Sequence, residues 1–147
     1  MKKMNNKGFS LVELIVVVLI MAIIAVALAP QVMKWVENSR LSTDCETYDQ
    51  MISNLQLALT DKSLGASITG HTFTITNGSN VAVDGTEVKG ETSGSSDKLL
   101  VALDKVNTSW YTAKAKVTSG SYVITVTADK QVKRTTPPDT SSNADLS

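Results

Sequence analysis

Few residues in this chain combine the type and the spacing that chemistry needs, and the one that stands out is Glu13. It is the only ionisable side chain between Phe9 and Ala29, a run of 21 residues whose only other polar side chain is Ser10. An ionisable group inside an apolar helix costs about 2.5–3.5 kcal/mol on insertion scales, so it requires a partner or a role. Snorkelling to an interface is the bland way to lower that cost.

The remaining candidates have ordinary accounts. His71 is the lone histidine, with no Cys or acidic cluster at metal-ligand spacing, and reads as a solvated loop residue. Asp84, Glu87 and Glu91 lack the dense run of oxygen ligands that a calcium loop needs. Trp110, Lys114 and Lys116 fall on one face of a predicted strand, where base stacking and phosphate neutralisation compete with a plain solvated sheet face; the solvated face is preferred. Cys45 is the only cysteine, which excludes an intramolecular disulfide and leaves a small helix residue, buried or half-buried. Asn77-Gly78-Ser79 and Asn107-Thr108-Ser109 satisfy the short N-glycosylation pattern, which is of low specificity. No nucleophile–base pair, phosphate loop or metal cluster emerges, so no catalytic residue, metal or cofactor is assigned and the chain reads as non-enzymatic.

The elements that carry these residues divide into an anchor and a head. Residues 9–29 as a helix extend about 31 Å at about 1.5 Å per residue, which matches the hydrocarbon thickness of a bilayer. Lys2, Lys3 and Lys7 precede the span while Lys34 beyond it stands near Glu37, so the positive-inside tendency keeps the N-terminus in the cytoplasm and the head outside. A rival reading takes Ala27-Leu28-Ala29 as the end of an ordinary secretory signal, with the mature chain beginning at Pro30. The length of the apolar run and the interruption at Glu13 argue against it.

The stretch Lys7-Gly8-Phe9-Ser10-Leu11-Val12-Glu13, followed by sixteen apolar residues Leu14–Ala29, resembles the class III signal peptide of type IV prepilins. The resemblance implies cleavage between Gly8 and Phe9 by a prepilin peptidase, which also methylates the new amine of Phe9. It further implies that Glu13 pairs with the N-terminal amine of a neighbouring subunit and so sets register during assembly. Pro30 matches the family's helix-bending proline, and its missing N–H predicts a kink or local opening between Val26 and Pro30. Ala22 stands where the family often has glycine. The absence of a C-terminal cysteine pair points toward the Gram-positive members. Losing residues 1–8 removes three lysines, leaving 14 − 3 = 11 basic against 14 acidic groups, about −3 net; nucleic acid is therefore not a default partner.

Beyond Pro30 the helix resumes. Leu41, Cys45, Tyr48, Ile52, Leu55 and Leu59 recur at spacings of 4, 3, 4, 3 and 4, one apolar stripe opposite polar Ser42, Asp44, Glu46, Asp49 and Asn54. A sheet with one apolar face is the expected cover for it. Residues 72–76 alternate, Asn77–Asn80 is turn chemistry, and residues 81–83 lead to the Asp84-Gly85 turn, which together predict a hairpin. The strongest predicted strand pair joins residues 110–117 to Tyr122, Ile124 and Val126 through Ser119-Gly120. Ser96 or Asp97 caps a short predicted helix through Val106, preferred over a buried strand at Leu99–Ala102. The reading is α+β: leader 1–8, span 9–29, amphipathic helix 30–60, antiparallel sheet head 61–133 and a flexible tail 134–147, with a second flexible loop at 90–96.

The resemblance implies a structural subunit of an extracellular type IV pilus, held in the cytoplasmic membrane before assembly. Its implied partners are copies of itself, the prepilin peptidase/methylase, an inner-membrane assembly platform with ATPase-driven machinery, and the lipid bilayer. The alternatives are a pseudopilin of a type II secretion or competence system and, in another class, a single-pass membrane-anchored binding domain.

Overall fold

The computed structural model describes residues 8, 10–89, 97–117 and 120–139. The chain divides into two compact units, Met1–Val36 and Glu37–Ser147. Helix α1 spans Leu11–Leu59, 49 residues with Pro30 inside.

In the first unit the helix from Leu11 to Ala29 is apolar apart from Glu13, so its local hydrogen bonds are satisfied while none of the described residues of the unit buries its side chains. Large apolar residues from Leu11 to Val36 are exposed, among them Val26 at 78% and Ile23 at 71%. The helix is long and apolar enough to cross a membrane, and none of its apolar window is buried. Pro30 lacks the N–H that would bond the Val26 carbonyl, yet α1 continues on both sides of it.

In the second unit the helix becomes amphipathic and covers one face of a five-stranded antiparallel sheet. The strands are β1 (Thr72–Thr76), β2 (Ala82–Val83), β3 (Thr86–Glu87), β4 (Ser121–Val126) and β5 (Val132–Thr136), in the order β3-β2-β1-β4-β5. Alternation fixes the faces: Phe73 and Ile75 of β1 and Tyr122, Ile124 and Val126 of β4 point into the core with Tyr48, Ile52 and Leu55 of α1. β1 and β4 pair in full register from Thr72↔Thr125 to Thr76↔Ser121. The predicted hairpin is present, with Phe73 opposite Val83. Asp84 and Gly85 both have positive φ, 49° and 83°, the two-residue turn that matches the twist of β2 and β3. Asp97 caps α2 (Lys98–Val106), accepting the Leu99 N–H at 3.0 Å, and Leu99, Ala102 and Leu103 seal that end of the core.

Three expectations for the second unit are corrected. Residues 110–117 do not form a strand against β4, whose two edges are taken by β1 and β5. Trp110–Thr112 is instead a 3₁₀ turn, because the Trp110 ring is buried against Phe73, with centroids 6.3 Å apart, and its Nε1–H donates to Asp104 at 2.9 Å. Ala115 keeps only a single parallel bridge to Asn77. Second, Arg134, Thr135 and Thr136 are not tail but belong to β5, an edge strand whose polarity hid it; Pro138 is buried beyond it. Third, Asp44 is not on the polar side of α1; it is buried at 1% exposure. The loop expected at 90–96 and the tail residues 140–147 lie outside the described residues.

Candidate functional site

The first candidate site is the N-terminal end of α1. Gly8 is exposed, and a Cβ there would meet nothing within 4 Å. Phe9 lies outside the described residues. Ser10 opens the helix: its carbonyl accepts the Leu14 N–H at 3.2 Å, and its own N–H donates to Glu13 Oε2 at 3.0 Å. That reach from the third helical position back to the cap residue is one half of a capping box, and it also sets a carboxylate at the positive end of the helix. One Glu13 oxygen is thus used locally, and a carboxylate can accept further hydrogen bonds from another donor. Around it every helical side is apolar. Among the described residues the arrangement has a charge but no acid–base partner and no cleft, so what it offers is ion pairing with a further cation.

The second site is internal to the head and was missed in the sequence. Asp44 accepts three hydrogen bonds, from the Lys116 N–H at 2.5 Å, the Val117 N–H at 3.0 Å and the Tyr122 hydroxyl at 2.7 Å. Burial, followed by the hydrogen bond to Asp44 and its negative charge, pushes the Tyr122 hydroxyl far above the usual tyrosine range. The signal was present: Leu41, Asp44, Tyr48, Met51, Leu55 and Ala58, all buried, recur at 3, 4, 3, 4 and 3, with Asp44 as the one charged member. Of the predicted stripe, Leu41, Tyr48, Ile52 and Leu55 are buried, while Cys45 and Leu59 are half-buried at its margin. Burial, then the nearby Asp49 and Asp44 charges, raises the Cys45 thiol. The Tyr48 hydroxyl, raised chiefly by burial, donates to the Val123 carbonyl at 3.0 Å, and Arg134 lies over its ring while pairing with Asp49 at 2.7 Å.

The other singled-out residues separate. His71 faces Asp84 at 2.5 Å, and Asp84 also accepts the Thr72 N–H, so this pair pins the start of β1 to the β2–β3 turn. Glu87 accepts the Asn80 N–H, and Glu91 lies outside the described residues. Among the described residues no three metal-ligating side chains converge. Trp110 is in the core while Lys114 and Lys116 are exposed, so the three do not share a face.

Compared with known families, residues 3–29 match the prokaryotic N-terminal methylation motif, the class III signal peptide of type IV pilins and prepilins. The match ends where the apolar span ends and leaves the head unassigned. No curated protein and no solved structure matches the chain. Motif and helix together are consistent with membrane anchoring, and the family that carries the motif is structural.

Proposed function

We propose that the chain is a type IV pilin: an anchored precursor cut between Gly8 and Phe9, methylated at the Phe9 amine, and polymerised through α1. The observation that carries this reading is the methylation motif over residues 3–29, whose helical part from Leu11 to Ala29 is apolar and exposed with Glu13 as its one charge. In a bilayer the exposed apolar surface is covered by lipid; in a filament it is covered by the same surface of other copies, where close packing replaces lipid contacts. Cleavage creates an ammonium four residues from Glu13. Pairing that ammonium of one subunit with Glu13 of the next relieves two buried charges at once, and only when the subunits are in register. The partners are then the peptidase/methylase, the membrane assembly platform and its ATPase, and the product is an extracellular filament without enzymatic activity.

The test is the N-terminal residue of the native protein, read by intact mass and N-terminal peptide analysis. N-methylated Phe9 is expected; Met1 would leave a plain membrane-anchored domain, and Pro30 a secreted one. Electron microscopy of the cells then separates a long pilus from the short piston of a pseudopilin.

A further inference from the structure

The head carries a basic groove that the assembly reading does not use. From Glu37 onward the chain has 10 basic and 13 acidic residues, yet Arg40, Lys114 and Lys116 converge on one open groove of about 620 Å³, with Thr43 and the Asn77-Gly78 turn completing its walls. No carboxylate lines it among the described residues.

The groove is held from beneath. Ala115 is buried, while Lys114 and Lys116 on either side of it are both exposed. Asn77 Nδ2 donates to the Ala115 carbonyl at 2.9 Å, and Asp44 takes the N–H groups of Lys116 and Val117, which fixes the segment against α1 and the turn. None of the ion pairs among the described residues involves Lys114 or Lys116, and Arg40 has only Glu37, at 3.8 Å with both side chains half-exposed. The nearest buried negative charge, Asp44, is already bound by three donors.

We propose that this groove binds the phosphate backbone of duplex nucleic acid without regard to sequence. Cations clustered against the net charge of their own domain concentrate a polyanion locally. No aromatic side chain lines the groove and Trp110 is buried, so the base stacking that single strands require is not on offer and phosphate contacts remain.

The experiment uses the full chain in uncharged detergent micelles and a short fluorescein-labelled DNA duplex, with anisotropy followed across salt concentration. Binding at low salt is expected; Lys114→Gln/Lys116→Gln weakens it about tenfold or more, removing about 0.9 from the logarithmic salt slope per lost contact, and adding Arg40→Gln weakens it further. Glu37→Gln, which frees Arg40, tightens it. Lys130→Gln/Lys133→Gln, an equal change of charge elsewhere on the head, leaves it unchanged; thermal melting of each variant confirms folding. The proposal is overturned by an absence of binding at low salt, by equal weakening in the Lys130/Lys133 pair, by preference for a single strand, or by polyglutamate competing as well as the duplex, which would identify a carboxylate-bearing partner such as a second copy.

Discussion

The two units of this chain each place one carboxylate on a helix at a position where apolar residues surround it, and they resolve it in opposite ways. In Glu37–Ser147, Asp44 sits on the buried stripe and the same chain supplies three donors to it. In Met1–Val36, Glu13 has one donor from its own backbone, and the apolar side chains around it stay exposed. A carboxylate satisfied within the fold is a folding device; on the pilin reading proposed above, Glu13 is an assembly device. The comparison is breakable, since each residue should matter to one process and not to the other.

The largest expected effect is on assembly. Glu13→Ala removes the register charge, and sheared surface filaments should fall by tenfold or more while processing at Gly8 and the melting of the head stay unchanged. Normal filament yield from that strain would remove the register argument. The local cap contributes only about 0.3–1 kcal/mol, too little to account for such a loss by itself.

Next in size is Asp44→Ala, which leaves two part-buried N–H groups and the buried Tyr122 hydroxyl without their acceptor. A loss of about 3–5 kcal/mol is expected in urea denaturation of the detergent-solubilised chain, with processing untouched. Asp44→Asn should lose less, because one amide oxygen still accepts. A shift below about 1 kcal/mol for Asp44→Ala would mean that the loop, and not the carboxylate, holds the sheet to α1.

These two residues also mark what the sequence made legible. Glu13 was readable because it interrupts an apolar run, and the residues around it carry a local motif that depends on nothing distant. Asp44 was readable only as a position on a stripe; what satisfies it comes from residues more than 70 positions away, a pairing that periodicity does not encode. The same limit explains the strands. β1 and the Asp84-Gly85 turn have local signatures, whereas β5 is Val-Lys-Arg-Thr-Thr, an edge strand with one half-buried apolar residue, and resembles tail. Alternation across residues 110–117 suggested a strand, but one bulky ring in the core outweighed it: Trp110 is buried in the opposite phase to Tyr111 and converts the segment into a turn.

That ring gives the third prediction, smaller than the loss at Asp44 and confined to the head. Trp110→Phe keeps an aromatic against Phe73 but removes the Nε1–H that Asp104 accepts, and also shrinks the side chain. A destabilisation of about 1–3 kcal/mol is expected by denaturant titration, without change in filament yield under permissive conditions. Loss of filaments at unchanged head stability would place Trp110 in a contact between copies and blur the division between the two units.

The smallest effect is a pH dependence that belongs to the head. Hydrogen bonds from the Ser63 side chain and backbone, followed by the Leu64 N–H and Lys105, hold the Asp61 carboxyl well below the usual aspartate range; the Thr72 N–H and then His71 lower Asp84. A carboxyl depressed in the folded state contributes stability that is present above its unfolded value of 3.8 and lost as pH falls through the folded value. The head should therefore melt at progressively lower temperature from about pH 4 downward, with no loss on this account between neutrality and about pH 5. Asp84 is exposed and Asp61 partly so, and solvent screening keeps the slope shallow. Asp61→Asn should flatten it in part by removing one of the two titrations. An acid limb unchanged in both Asp61→Asn and Asp84→Asn would overturn the assignment of the acid loss to these two turns.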